Sequence, residues 1–174
     1  MSNKRNQYDN RGSFEMGNSA ESLFSKTIKK YGFTCDKTVD SDDIHNHIDY
    51  FISKNNRVFG VDVKAMKRIS FDDKEVQDEY HWLELHGVNE GNDGWIFDGK
   101  SDFIVFEMKD SFLLVPRFKL VNYLTDEVIG KYQKVFNPRH CIDEGIYQRS
   151  GRLDKLTLIS SEKLKKMCST VLPK

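Results

Sequence analysis

Residues 47–65 have the sequence HIDYFISKNNRVFGVDVKA. Apolar and polar side chains alternate on both sides of Asn55 and Asn56, and a period of two is typical of half-buried strands. Asparagine tolerates the positive φ angles that a two-residue hairpin loop requires. The stretch therefore predicts a β-hairpin whose two strands are joined by the asparagines.

The predicted loop fixes which residues of the hairpin face each other, because the numbers of facing residues add up to 111. Asp49 then lies directly opposite Asp62, and Lys64 lies opposite His47. Alternation of strand side chains puts these four residues on one face of the hairpin. The other, better buried face takes Ile48, Tyr50, Val61 and Val63.

Two carboxylates that face each other across a pair of strands repel, so a positive charge is expected between them. Lys64 supplies one such charge. Converging acidic oxygens are also the ligands that a hard divalent cation such as magnesium prefers. The alternative is a solvated strand face with an ordinary lysine–carboxylate cluster.

A helix is predicted ahead of the hairpin, because apolar residues recur there at helical spacing. Its apolar stripe consists of Ala20, Leu23, Phe24, Thr27, Ile28 and Tyr31. Asn18 or Ser19 can cap its start, and Gly32 can end it in the left-handed conformation. Glu21 lies at the border of the stripe, where it is either a third acid of the cluster or a first-turn acid favoured by the helix dipole.

Downstream, short apolar runs separated by Gly, Asn and Asp predict further strands at residues 82–85, 95–97, 103–107, 112–115 and 156–159. Helices are predicted to begin near Pro116 and, with a serine cap, at Ser161; the second should include Val171. Residues 1–15 are polar and lack periodicity, which predicts a flexible tail ahead of a single domain at residues 16–174. The expected fold class is α/β, with a mixed central sheet flanked by helices.

The chain has 174 residues, and 27 Lys plus Arg balance 27 Asp plus Glu, so the net charge is zero. That balance excludes a polybasic protein that binds nucleic acid by bulk charge. No run of about 18 apolar residues and no apolar signal segment occurs, so a cytoplasmic protein without a membrane span is expected. The three cysteines are widely spaced, which favours reduced thiols.

Asp49, followed thirteen residues later by Asp62-Val63-Lys64, resembles the motif of the PD-(D/E)xK nuclease superfamily. Gly17-Asn18-Ser19-Ala20-Glu21 is similar to the first helix of that family, which carries a glutamate. The resemblance covers residues 16–65, and Ile48 stands where the motif has its proline. It implies a restriction-endonuclease-like core.

The resemblance also implies a metal-dependent endonuclease that hydrolyses DNA phosphodiester bonds. Asp49, Asp62 and the Val63 carbonyl would hold magnesium, with manganese as a substitute, and Glu21 would complete the shell. Lys64 would orient the attacking water. Residues proposed to meet nucleic-acid phosphates are His47, Lys67 and Arg68, and second-rank candidates near the centre are Glu84 and His86.

Two other functions remain open from the sequence. One is a catalytically silent nucleic-acid-binding or protein-interaction module on the same fold. The other is cleavage of RNA, which is disfavoured because the sequence contains no recognisable RNA-binding module. A homodimer is also open, because a domain of this size has no separate recognition domain.

Overall fold

The computed structural model describes residues 7–39, 46–70, 72–87, 93–129, 134–143, 145–149 and 151–174. Its helical elements are α1 (Gln7–Lys30), α2 (Trp95–Asp98), α3 (Arg117–Tyr123) with a π-helical continuation (Leu124–Ile129), a 3-10 turn (Pro138–Cys141) and α4 (Ser161–Met167). The strands are β1 (Thr34–Lys37), β2 (Tyr50–Lys54), β3 (Arg57–Lys64), β4 (Tyr80–His86), β5 (Phe103–Glu107), β6 (Ser111–Pro116), β7 (Lys134–Val135), β8 (Ile146–Gln148), β9 (Lys155–Ser160) and β10 (Thr170–Pro173).

Helix α1 begins at Gln7, so residues 7–15 are helical and the predicted helix start at Asn18 or Ser19 is wrong. Residues 1–6 of the predicted tail lie outside the described residues. The apolar stripe is confirmed at Ala20, Phe24, Thr27 and Ile28, which are buried, whereas Tyr31 at its end is exposed. A buried phenylalanine or isoleucine stabilises a fold by about 1.5–3 kcal/mol. Burial of these side chains therefore holds α1 against the sheet, although the first half of the helix is polar. Gly32 ends the helix with a φ of 79°, as predicted.

The predicted hairpin is confirmed in both its turn and its register. Asn55 and Asn56 have φ angles of 53° and 61°. Positive φ at both central residues is typical of a type I′ turn, whose twist matches the right-handed twist of the strands. β2 and β3 are antiparallel, and Tyr50 pairs with Val61 as the register predicts. Phe59, Val61 and Val63 point to the face of β3 opposite to Asp62 and Lys64.

Within the described residues, the strands form a six-stranded sheet in the order β1-β2-β3-β5-β6-β10 and a four-stranded sheet in the order β4-β9-β8-β7. The larger sheet is mixed, because β3 and β5 are parallel whereas β2 and β3 are antiparallel. The fold is therefore of the mixed α/β class, with helices flanking the large sheet.

Two hydrophobic clusters lie on opposite faces of the six-stranded sheet. One contains the α1 stripe with Val61, Val63 and Val105. The other contains Ile104 and Phe106 of β5, residues of α3 and α4, and the core-facing residues of the smaller sheet. Asp62 pairs with Ile104 and Lys64 with Phe106 in the parallel register, so both polar residues share the second face.

Three downstream expectations differ from the structure. Residues 95–97 form the helical turn α2 instead of a strand. The Gly94 carbonyl accepts hydrogen bonds from the N–H groups of Phe97 and Asp98, and these bonds close the turn. Ser160, not Ser161, caps α4 by accepting a hydrogen bond from the Lys163 N–H. Helix α4 ends at Met167, and Val171 lies in β10, paired with Leu113 of β6.

None of the helices in the described part of the chain combines the length and the apolar character that crossing a bilayer requires.

Substituting Asn56 tests the turn that sets the register. Asn56→Val should lower the free energy of unfolding by about 1–2 kcal/mol, because a β-branched residue is strained at positive φ. For a chain of this size we expect Tm to fall by about 2–4 °C per kcal/mol, measured by circular dichroism. The control Asn56→Gly should keep or raise Tm, and equal losses for both variants would contradict a left-handed residue at this position.

Candidate active site

Asp62 is a buried acid in the middle of the sheet. The residue is 2% exposed, and its Oδ1 accepts from the Lys64 ammonium at 2.7 Å. Its Oδ2 is buried and has no hydrogen-bond partner among the described residues. A buried carboxylate oxygen without a partner is costly, so this atom is available to accept from a ligand or a water.

Asp49 lies just before β2 and reaches toward the end of β3. Its backbone N–H donates to the Val61 carbonyl at 2.9 Å, and its Oδ2 accepts from the Val63 N–H at 2.6 Å. The regular ladder ends at the pair of Tyr50 and Val61, so the prediction that Asp49 opposes Asp62 within the ladder is wrong. The carboxylate instead satisfies a β3 N–H that β2 is too short to reach.

The pKa of Asp49 nevertheless shows that its carboxyl group interacts with other residues that the sequence predicted for the site. The pKa of its carboxyl is raised to about 8, first by burial and then by the Asp62 charge, with a smaller contribution from Glu21. The Lys64 charge and the Val63 N–H act in the opposite direction. Asp49 therefore interacts electrostatically with Asp62, with Lys64 and, most weakly, with Glu21.

Glu21 occupies the edge of this cluster on α1. Its side chain is 15% exposed, and its Oε2 lies 3.4 Å from the Lys37 ammonium of β1. Its charge also contributes, after burial, to raising the pKa of Tyr50 to about 12. Among the residues that the structure describes, no three His, Cys, Asp or Glu side chains are close enough together to form a metal-binding group. The predicted role of Glu21 as a metal ligand therefore stays a prediction.

The donors at the centre of the cluster nevertheless suit a hard divalent cation. They are two carboxylates, one of which has an unpartnered oxygen, and the carbonyl of Val63, which alternation directs to the side where β2 has ended. Carboxylate and carbonyl oxygens are the ligands that magnesium and manganese select. The residues therefore fit the cation that the sequence implied.

His47 and Ile48 do not occupy the predicted positions. His47 lies outside β2 with a φ of 50°, so it is not opposite Lys64 in the ladder. A Cβ built at Gly99 would lie 3.5 Å from the His47 Cβ, which places His47 beside the turn after α2. Ile48 lies 3.2 Å from where a Gly60 Cβ would be, on the face of Asp62. The strand geometry of β2 does not continue through Asp49, so the residues before it lie on the opposite faces from those that the sequence predicted.

Lys67 and Arg68, which follow β3, lie in different surroundings. The pKa of Lys67 is lowered, first because protein atoms desolvate its ammonium and then by the Lys64 charge, although the residue as a whole is exposed. Arg68 instead donates to the Asp73 carbonyl at 3.3 Å. It also lines a cleft of about 520 Å³ together with Glu15, Met16, Ser19, Lys74 and Val76.

Glu84, a second-rank candidate from the sequence, is half-buried on β4. Burial raises the pKa of Glu84, as does the Asp154 charge, while Lys64, Lys67 and Arg149 act to lower it. Glu84 is therefore linked electrostatically to the centre. His86, its companion on the strand, donates through Nδ1 to the Gly87 carbonyl at 2.7 Å.

The Trp95 indole packs against the hydrophobic cluster that contains Ile104 and Phe106, and it also lies over the Lys64 ammonium. The Lys64 ammonium lies 4.3 Å from the Trp95 ring centre, a distance at which a cation is attracted to an aromatic face. Gly94 lets the backbone before Trp95 pack closely on β4, because a Cβ there would lie 1.9 Å from the Glu84 carbonyl oxygen. No sequence pattern indicated this contact, because it joins two elements that are distant in the chain.

Comparison with known proteins found no matching protein-family model, and neither a curated protein nor a solved structure is significantly similar to this chain. The resemblance to the PD-(D/E)xK superfamily therefore stays a prediction, carried by the residues of the cluster itself.

The raised pKa of Asp49 predicts an unusual dependence of stability on pH. The folded state binds the proton more tightly than the unfolded chain does, so this contribution to stability is fully present below about pH 4 and is lost as pH rises toward 8. Asp49→Asn keeps a hydrogen-bond acceptor for the Val63 N–H but removes the charge.

With a chelator present, the Tm of the wild-type protein should fall relative to that of Asp49→Asn between pH 4 and pH 8. Differential scanning fluorimetry across that range measures the difference, and the exposed Asp36→Asn serves as the control. Parallel pH profiles for the wild type and Asp49→Asn would show that Asp49 is not a buried, strained acid.

Proposed function

We propose that the protein is a metal-dependent nuclease that hydrolyses phosphodiester bonds, with DNA as the preferred substrate. One observation carries the proposal: Asp62, a buried acid with an unpartnered oxygen, interacts with a second buried acid, Asp49, and with the Lys64 ammonium. As a purely structural arrangement this cluster is unfavourable, because ionising both acids would put like charges together away from water.

Each residue of the cluster has a role in this chemistry. Asp49, Asp62 and the Val63 carbonyl would hold a magnesium or manganese ion. The chemistry that such an ion supplies when bound is neutralisation of the charge that grows on phosphate oxygens in the transition state. Binding of a cation would also favour the ionised form of Asp49, whose pKa is otherwise raised.

Lys64 is the residue that would act on the attacking water. Its ammonium is held between Asp62 Oδ1 at 2.7 Å and the face of Trp95 at 4.3 Å, so it is positioned beside the carboxylates. A positive charge next to a water favours the deprotonated form of that water, which is the stronger nucleophile. Glu21 would act from the edge of the cluster, where Lys37 now neutralises it.

A silent nucleic-acid-binding module on the same fold is the second candidate. The pairing of Glu21 with Lys37 favours it, because an engaged glutamate is a poorer metal ligand. RNA cleavage and homodimer formation also stay predictions. Cleavage assays separate the candidates, because the silent module would bind nucleic acid without hydrolysing it.

The activity assay uses the purified full chain with plasmid, branched and single-stranded DNA, and with RNA, in magnesium or manganese. Asp62→Asn and Lys64→Gln should each lower the cleavage rate at least about 10²-fold, since they remove a ligand and a charge that act in the transition state. Gel electrophoresis of labelled substrates measures the rate.

The matched controls are Asp110→Asn and Lys100→Gln, which make the same chemical changes at exposed positions outside the cluster. Both should cleave at the wild-type rate. The proposal fails if cleavage survives chelation of the metal, or if Asp62→Asn and Lys64→Gln cleave as well as their controls.

A further inference from the structure

We propose that Arg149, held in place by Asp154, and Lys67 bind the phosphate backbone of the DNA strand next to the cleavage centre; this inference rests on the proposed nuclease function and adds a binding site to it.

Arg149 and Asp154 lie at the end of the β8–β9 ladder in the smaller sheet. The last pair of that ladder is Gln148 with Lys155, and one step beyond it Arg149 faces Asp154. Tyr147, two residues before Arg149, contacts Trp82 of β4 with 6.0 Å between the centres of the tilted rings. Tyr147 therefore shares a face of this sheet with Trp82 and Glu84, and Arg149 follows one residue beyond the end of β8.

The segment that follows β3 meets that face of the smaller sheet. The Trp82 indole N–H donates to the Arg68 carbonyl at 3.0 Å, and the Gln77 side chain donates to the Lys67 carbonyl at 2.8 Å. These bonds fix the backbone that carries Lys67, three residues beyond Lys64. Lys67, three residues beyond the end of β3, is therefore held beside the face of the smaller sheet that carries Trp82.

Arg149 is anchored by a buried acid. Its Nε donates to Asp154 Oδ2 at 2.8 Å, and its Nη2 donates to the same oxygen. Asp154 is 1% exposed, whereas the Arg149 side chain is 40% exposed. A buried acid thus holds a guanidinium that still reaches solvent, and Nη1 takes no part in the pair.

The charges around Glu84 place this arginine close to the centre. Lys64, Lys67 and Arg149 all act on Glu84, so three cations lie within electrostatic range of one carboxylate. The chain has no net charge, and therefore binding of a polyanion depends on local clusters of this kind. The N–H groups of a guanidinium that do not bind Asp154 can donate to phosphate oxygens. Because Asp154 already holds the Arg149 side chain in place, binding a phosphate costs less side-chain entropy.

The test is DNA binding by the full chain, measured by fluorescence anisotropy of a labelled oligonucleotide in chelator over a series of salt concentrations. The single substitution of Arg149 would leave a buried, uncompensated Asp154, so the main variant is the double substitution Arg149→Gln with Asp154→Asn. It removes both charges and leaves the net charge unchanged. Lys67→Gln is an independent second variant, and circular dichroism reports whether each variant is folded.

We expect the double variant to bind DNA about ten-fold more weakly, and the slope of log affinity against log salt to become shallower by about 0.7–0.9. Lys67→Gln should change the slope in the same direction. The control Arg57→Gln removes a cation at the far end of β3 and should leave affinity and slope close to those of the wild type.

Three outcomes would overturn the binding site: wild-type affinity and slope in both test variants, an equal loss in Arg57→Gln, or no DNA binding by the wild-type protein. The outcome for the nuclease is separate. Binding that depends on Arg149 and Lys67 without cleavage in magnesium would overturn the proposed activity but support the binding site.

Discussion

The left-handed turn at Asn55 and Asn56 is the constraint on which the candidate site depends. The turn fixes the register of β2 and β3, and β3 extends past the point where β2 begins. The Val63 N–H is then left without a strand partner, and the Asp49 carboxylate takes that position at 2.6 Å. A slip of one residue would move Asp62 and Lys64 to the face of the sheet that packs on α1.

The cluster at the end of β3 contributes little to the stability of the fold but concentrates charged groups in one place. Asp49 and Asp62 are buried near each other, and Lys64 compensates one of them directly. Burial raises the pKa of Asp49, which is the behaviour of an acid whose counter-charge is incomplete. Strongly perturbed groups of this kind concentrate at functional sites, where the local cost is offset by packing elsewhere, here by the two clusters that flank the large sheet.

The smaller sheet supplies a second wall to the site. Gly94 packs so closely on the Glu84 carbonyl that only glycine fits, and this brings Trp95 over the Lys64 ammonium. The same sheet contributes Glu84 and the Arg149–Asp154 pair. Lys64 and Asp62 are thus surrounded by residues that are far from them in the chain. These residues influence both where the Lys64 ammonium lies and which charges surround the candidate centre.

The local sequence determined the helix stripe of α1, the hairpin with its register, and the proximity of Asp49 to Asp62 and Lys64, because periodicity and turn chemistry act between residues close in the chain. It did not determine the helical residues 7–15, the backbone change at Asp49 that displaces His47 and Ile48, or the turn at Trp95. Tertiary structure alone decided those features and the approach of Glu84, Trp95 and Arg149. Their positions follow from how the two sheets pack, and packing between distant segments leaves no periodic signal in the sequence.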